Sequence, residues 1–458
     1  MKGRNISNVA TMRQYLFGAL LVTCALLGGS SRATVPGLLV LRPVIVLFLG
    51  AFLLLPGAIA WRSVRVPLAL LGAFAATMLI QLVPLPPSWW VALPGHAPLA
   101  PSLALAGDAL TWRPISLDPD MTLNALVALL PAFTVIVGYA GLDPARRRAL
   151  PVWLAGIAIG SALLGLAQIA SGGQGAAYFF RNTSFGLPVG LFANRNHQAV
   201  FLALAVPVLW FWARTASAPA PVLRLSVALG ATLLFVPMIL MTGSRAGIMA
   251  LAAALLLTPW LARLRLPRGM PRARRRLLLT ALAAGALLVA GLIAYTVVAG
   301  QALSLDRLND MDGLSGEKRL RALPVLLRML SDFFPFGLGH GAFEPAFRMY
   351  EPDALLMATY FNRAHNDPLE VAMSGGLPAI AVMGALLIWL ATRLLSAWRG
   401  SASDPTNALA RLGGAVATGW LLASIADYPL RTPLAAAMFM LCCLWLEDGF
   451  QARRATAA

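Results

Sequence analysis

Three short polar stretches interrupt an otherwise apolar chain: Phe192-Ala-Asn-Arg-Asn-His197, Thr242-Gly-Ser-Arg-Ala-Gly247 and Arg363-Ala-His-Asn-Asp-Pro-Leu-Glu370. Each immediately precedes an apolar run with the length of a membrane helix. Arginine and histidine at helix starts suit the handling of an anion. The first turn of a helix presents unpaired N–H groups and a partial positive charge. Guanidinium adds a permanently charged planar fork that matches phosphate oxygens, and histidine adds a proton acceptor that works near neutral pH.

In the third stretch Asp367 is placed to cap a helix, Pro368 fits its first turn, and Glu370 falls where a capping-box acid reaches back. Capping leaves His365 unexplained. Beside a helix start and near arginines, its imidazole is expected to be neutral and able to accept a proton. The plain alternative is an interfacial histidine bonded to a nearby carbonyl, and two arginine clusters at the same depth favour the base. Arg245 occupies a reversal of a few residues between apolar runs, where a permanent charge is costly unless used. Snorkelling to the headgroups is the bland reading for Arg245 and Arg195 alike. Asn194 and Asn196 flank Arg195 as amide donors, and His197 fits either the site or a water-facing position. His340, in Gly337-Leu-Gly-His-Gly341, sits among glycines that suggest a close backbone approach and is a candidate to support the site. His96 has no discernible partner. Asp427 and Arg431 flank the last turn and read as a helix-end ion pair. Asp310-Met-Asp312 is similar to the acidic pair that holds a metal in nucleotide-sugar transferases, but such pairs are common in solvated loops. No metal and no cofactor are expected.

Composition says where these residues work. Of 458 residues, 59% are hydrophobic and 12% charged, with a mean hydropathy of +0.75, far from a water-soluble domain. Apolar windows recur along the whole chain, so the fold class is all-α, a polytopic integral membrane protein. Twelve spans are expected near 15–30, 38–60, 66–84, 121–141, 149–170, 197–213, 222–241, 246–262, 277–299, 369–394, 409–426 and 432–447. Residues 1–458 read as a single polytopic membrane domain, with 300–368 as a large outer loop carrying short helices. Basic residues gather in alternate short loops, at Arg62 and Arg65, Arg146 to Arg148, Arg214 and Arg224, and from Arg263 to Arg276. Those loops and both termini are therefore expected in the cytoplasm. The net charge of +18 is explained by this topology and by anionic lipid, with no nucleic-acid partner.

Cys24, Cys442 and Cys443 fall within predicted spans and form neither a disulfide framework nor a metal spacing. No internal repeat is evident, which weakens an inverted-repeat transporter. Outside, the segments 85–120, 171–196 and 300–368 are longer than turns. In the first, Trp89, Trp90 and Trp112 read as interfacial anchors, with a sugar-stacking platform as the alternative. In the last, the amphipathic piece from Leu320 to Leu330 is expected to lie as a helix on the membrane surface.

Taken in order, Gly190-Leu-Phe-Ala-Asn-Arg-Asn-His197, Ser244-Arg-Ala-Gly247, Gly337-Leu-Gly-His-Gly-Ala-Phe343 and Ala364-His-Asn-Asp-Pro-Leu369 resemble the O-antigen ligase and polysaccharide polymerase superfamily of bacterial inner membranes. The resemblance covers mainly residues 190–430. It implies an enzyme that takes an oligosaccharide from an undecaprenyl-pyrophosphate-linked glycan donor at the periplasmic face and hands it to a glycan or lipid A core acceptor, among membrane lipids. It also implies that Arg195 and Arg245 act on the donor pyrophosphate and that His365 is the histidine of the His-Asn-x-x-Leu pattern. Arg319 resembles an arginine that precedes the Gly-x-Gly turn, although Leu323 stands where many relatives have Trp. Arg363 and Asn366 join Asn194, Asn196, Arg319 and His340 as candidates for substrate binding.

Glycosyl transfer from a lipid diphosphate needs charge balance on the leaving group, which guanidinium pairs supply without metal. It also needs a base for the acceptor hydroxyl. Direct, inverting displacement is the expected route, with His365 as base and Arg195 and Arg245 stabilising the departing diphosphate. A lone base without a carboxylate pair suits this better than a covalent intermediate. A ligase acting on lipid A core is the preferred reading. A polymerase extending capsule, exopolysaccharide or O-antigen is the alternative, and a transporter or flippase is the alternative from another class. A transporter predicts acids in mid-span, whereas the only charge clearly inside an outer edge is Arg42, with no acid beside it.

Overall fold

Apolar surroundings leave a spanning chain to satisfy its backbone within helices. The structure, a computed structural model, describes residues 2–107, 111–215, 221–262, 276, 280, 314–356, 361–401 and 403–457. In chain order its helices are α1 (Lys2–Leu27), α2 (Pro36–Leu54), α3 (Trp61–Gln81), α4 (Pro87–Ala92), α5 (Leu99–Leu105), α6 (Pro119–Val127), α7 (Leu130–Ala140), α8 (Pro144–Ala149) and α9 (Pro151–Ala170). Then come α10 (Arg195–Thr215), α11 (Pro221–Met241), α12 (Arg245–Leu261), α13 (Leu314–Phe333), α14 (Phe343–Tyr350), α15 (Asp367–Arg399), α16 (Pro405–Ala426) and α17 (Pro433–Ala457). A two-residue antiparallel pairing, Pro84–Leu85 with Arg113–Pro114, closes the loop that holds α4 and α5.

Among the described residues, ten helical stretches are long and apolar enough to cross a membrane, and Arg245–Leu261 is a shorter apolar helix. Together they account for every predicted span except 277–299. Apart from Thr280, that span lies outside the described residues, as do the basic residues 263–275 and the acids Asp306, Asp310 and Asp312. The protein is thus an all-α polytopic membrane protein. One predicted span is assembled from two helices, and another is preceded by a short one. The span at 121–141 is α6 followed by α7, and 149–170 is α9 preceded by α8. Pro131 and Pro151 stand in the first turns of α7 and α9, where a missing N–H costs nothing and the preceding helix must stop. The last helix runs well past its expected end at 447. Glu447 and Asp448 do not end it, because Arg393 Nε meets Glu447 Oε2 at 2.7 Å and Arg147 NH1 meets Asp448 Oδ1 at 2.8 Å.

Burial sorts the helices. In Arg195–Arg214 and Pro433–Ala455, 83% and 78% of the apolar window is buried, against 22% in Pro36–Leu54 and Trp61–Gln81. So α10 and α17 are central, and α2 and α3 turn leucines such as Leu39, Leu47 and Leu79 outward. A second apolar cluster caps one end of the bundle. Ala322, Leu326, Met329 and Phe333 recur at helical spacing along α13 and pack with Phe343 and Phe347 of α14 and Met373 of α15. The helix expected to lie on the membrane surface therefore buries its apolar face in this small core. Trp90 is likewise buried, donating Nε1 to the carbonyl of Pro114 at 2.9 Å, whereas Trp89 and Trp112 are exposed.

The two cores are joined through a break in α15. Gly376 has φ 59° and ψ −151°, a backbone state open to glycine almost alone. The carbonyls freed upstream are captured by the turn after α13: Leu338 N donates to Met373 O at 3.0 Å and Gly339 N to Ser374 O at 2.9 Å. Leu377 N donates back to Pro335 O at 2.8 Å, and Gln81 Nε2 adds a bond to Ser374 O at 2.8 Å. A Cβ on Gly337 would strike Ser374 O, so the glycines of this turn exist for backbone contact. Gly376→Ala would collide with the Pro335 carbonyl as well as strain its own backbone. It should cost about 2 kcal/mol or more, measured as a lower thermal midpoint of the purified protein. Gly384→Ala in the same helix, where a Cβ meets nothing within 4 Å, should leave that midpoint unchanged or raised.

Candidate active site

Three helix starts are brought to one end of the bundle by local bonding. Ahead of α10, the Gly190 amide donates to Gln168 Oε1 at 2.8 Å, Gln168 Nε2 returns a bond to Gly190 O at 3.0 Å, and Leu191 N donates to Ser161 Oγ at 3.1 Å. Polar side chains of α9 thus set the approach to Asn194, whose Oδ1 accepts from Asn196 N at 2.8 Å. Ser244 caps α12 by accepting from Gly247 N at 3.0 Å. A Cβ on Gly247 would touch Ala199 Cβ, so the first turns of α12 and α10 lie side by side. Arg195 and Arg245 are the first residues of α10 and α12, and both are half-buried.

At α15 the cap is Asn366, not Asp367: its Oδ1 accepts from Leu369 N at 2.9 Å. The start is shifted by one residue because Asn366 has extended backbone, φ −154° and ψ 98°, the state a capping residue takes. Asn366 therefore closes the turn. Just before it, His365 has φ 52°, the one positive value among the described non-glycine residues. Such a state costs about 1–3 kcal/mol and persists where surrounding contacts over-determine it.

Those contacts converge on Asp427, which terminates α16 and is 4% exposed. His365 Nδ1 lies 3.2 Å from Asp427 Oδ1. Asn196 Nδ2 donates to Oδ2 at 2.8 Å, Asn194 Nδ2 at 3.3 Å, and the Tyr428 amide donates to Oδ1 at 3.1 Å. His197, 1% exposed, has Nε2 at 3.9 Å from the same carboxylate, too long for a hydrogen bond, and at 3.3 Å from Asn194 Nδ2. The Tyr428 ring lies between the two imidazoles, with centroids 5.0 Å from His365 and 5.2 Å from His197. Burial would raise the Asp427 carboxyl, but the two histidines facing it hold it well below the usual range. Tyr428 is pushed up to about 12 by burial and then by Asp427, so its hydroxyl stays protonated.

A second charged group abuts the first. Arg431 Nε meets Asp367 Oδ1 at 2.6 Å and its NH1 meets Glu370 Oε1 at 3.2 Å. Arg363 NH1 meets the same Glu370 oxygen at 3.0 Å, and Glu370 Oε2 accepts from Ala364 N at 2.8 Å. Three expectations change here. Asp427 and Arg431 do not pair with each other, since each faces a different part of residues 363–370. Glu370 reaches past the capping residue to Ala364. Arg363, a candidate for substrate, sets its charge against Glu370.

His340 takes a different place. Its Nε2 lies 3.1 Å from Thr77 Oγ1, its ring stands edge-on to Phe74, and its amide donates to Gln81 Oε1 at 3.0 Å. Burial first, then the charge of Arg431, lowers it to about 4, so it is a neutral packing residue between α3 and the glycine turn. His96 is also structural, with Nδ1 and Nε2 each 2.9 Å from a carbonyl, those of Pro94 and Ile115. Arg319 lies on α13, and its side chain is outside the described residues. Among the described residues, no group of three or more His, Cys, Asp or Glu is arranged to hold a metal.

Fold and site together define a polytopic helical membrane protein whose polar residues gather where several helices start at one end of the bundle. Residues 230–384 match the family model described as O-antigen ligase, which supports the O-antigen ligase superfamily. The match takes in Arg245 and His365 and leaves out Arg195 and Asp427. No curated protein matches the chain.

Asp427 gives a pH-dependent test. Its folded-state value is depressed, so the stabilisation from its ionised form is complete above the ordinary carboxylate value of about 3.9. It is lost as pH falls through the lower folded value. Asp427→Asn should cost about 1–3 kcal/mol at neutral pH. The difference in thermal midpoint from wild type should begin to close below about pH 4.

Proposed function

We propose that the protein transfers an oligosaccharide from an undecaprenyl-pyrophosphate carrier to an acceptor on the periplasmic side of the inner membrane, acting as an O-antigen ligase on lipid A core. The observation that carries this reading is the His365–Asp427 pair, set among the starts of α10, α12 and α15. Nδ1–H donated to the carboxylate fixes the tautomer in which Nε2 holds the lone pair, and a third group orienting the base is the usual arrangement of an activated hydroxyl. The acceptor oxygen attacks the anomeric carbon as its proton passes to His365 Nε2. The bond from that carbon to the diphosphate oxygen breaks, and the diphosphate leaves with its lipid. Arg195, Arg245 and the helix N-termini balance the charge that collects on it. Asp427 stabilises the imidazolium formed, and inversion follows from the single displacement. A polymerase would use the same steps with a glycan as acceptor.

The test supplies purified protein with undecaprenyl-pyrophosphate-linked glycan and lipid A core. His365→Ala should reduce the transfer rate by about 10²–10⁴-fold. Arg245→Lys should also lose most activity, because a point charge does not copy the two-pronged fork. Full transfer by His365→Ala would overturn the mechanism, and extension of the lipid-linked glycan without transfer to core would identify a polymerase.

A further inference from the structure

Arg42 takes no part in the site described above. It is the seventh residue of α2, about 9 Å beyond the helix start at 1.5 Å per residue. A charge at that depth in a span is costly and marks a function. The side chain does not run along α2 to the headgroups. Its guanidinium bonds the Asn124 side chain of α6, a neutral amide. Among the described residues no carboxylate lies within ion-pair distance of it.

The same guanidinium lines a cavity of about 30 Å³ with Ser30, Ser31, Asn124 and Arg431. A space of that size takes about two or three waters, comparable to one phosphoryl group. Its other wall is apolar, formed by Leu41 and Ile45 of α2 among others. Arg42, Asn124, Ser30 and Ser31 thus stand around one small space with an apolar wall behind it, and Arg431 at its edge is already balanced by Asp367 and Glu370. Arg431 links this cavity to the active-site cluster through Asp367 and Glu370. On the far side, α2 presents Leu39 and Leu47 outward, 78% and 71% exposed.

We propose that the Arg42 cavity seats the lipid-side phosphate of a polyprenyl phosphate, with the isoprenoid tail lying along the outer face of α2. The proposal rests on the lipid-linked donor read above. A headgroup of one phosphate on a long apolar tail matches both walls, and Arg431, which also lines the cavity, contacts Asp367 in the first turn of α15. Arg42 is then a binding residue for the carrier, distinct from the arginines at the starts of α10 and α12.

The experiment measures binding of undecaprenyl phosphate to the full-length protein in phosphatidylcholine nanodiscs, with phosphatidylglycerol and inorganic phosphate as separate probes. Undecaprenyl phosphate should bind at least about tenfold more tightly than either, and Arg42→Gln should weaken it by about tenfold or more. Ala33→Leu narrows the cavity while leaving Arg42 in place and should weaken binding likewise, so the test survives if Arg42→Gln does not fold. In the transfer assay Arg42→Gln should raise the donor KM more than it lowers kcat. Unchanged binding in both variants would overturn the proposal. Equal binding of phosphatidylglycerol or of inorganic phosphate would overturn the carrier assignment, naming a bulk-lipid or free-anion site instead. The two readings fail separately. Arg42-dependent binding without any glycan transfer would sink the proposed function alone, and His365-dependent transfer with unchanged carrier binding in both variants would sink this inference alone.

Discussion

A single buried carboxylate sets the geometry of this end of the molecule. Asp427 is out of water at the edge of an apolar bundle, where an unpaired charge would be strongly unfavourable. It is kept ionised by donors from chain segments far apart in sequence: Asn194 and Asn196 ahead of α10 and within its first turn, His365 ahead of α15, and the amide of Tyr428. Each donor can reach it only if its helix starts at the right height. The charge therefore acts as a positional constraint on several helices at once, and the backbone strain at His365 is stored against it.

The neighbouring cluster works by a different logic. Asp367 and Glu370 against Arg363 and Arg431 balance one another in charge, so they contribute rigidity without a strong net field. The proposed function gives the meeting of an anion to Arg195 and Arg245, which lie outside this cluster.

The helices were legible because membrane burial writes a long, unambiguous apolar signal, and misplacements occurred where another rule competed. Proline split one span, 121–141, that hydropathy alone reads as continuous. Paired acids let α17 continue where isolated acids would have stopped it. In the site, Arg195, Arg245 and His365 were visible as polar residues directly before apolar runs. The place of Asp427 was not, because its side-chain partners lie 62 or more positions away in sequence, and a local reading offered only Arg431, four residues on. A buried acid ending a span, followed by Tyr-Pro, is the one cue the sequence held. The glycines around His340 report a backbone contact, Gly337 against Ser374, which needs no chemistry from the imidazole.

The last helix carries one more implication. At one end α17 follows directly from the turn that holds Asp427 and Arg431, and toward the other it is tied by Glu447 to Arg393 of α15 and by Asp448 to Arg147 of α8. From Pro433 to Glu447 is roughly 20 Å along the axis. Anchored at both levels, α17 is a strut that cannot slide along its own axis without breaking ion pairs at one face or the other. The height of the His365–Asp427 pair along the bundle is therefore gauged from the opposite end of α17, and thinning or thickening of the lipid would have to be absorbed by the outer helices α2 and α3.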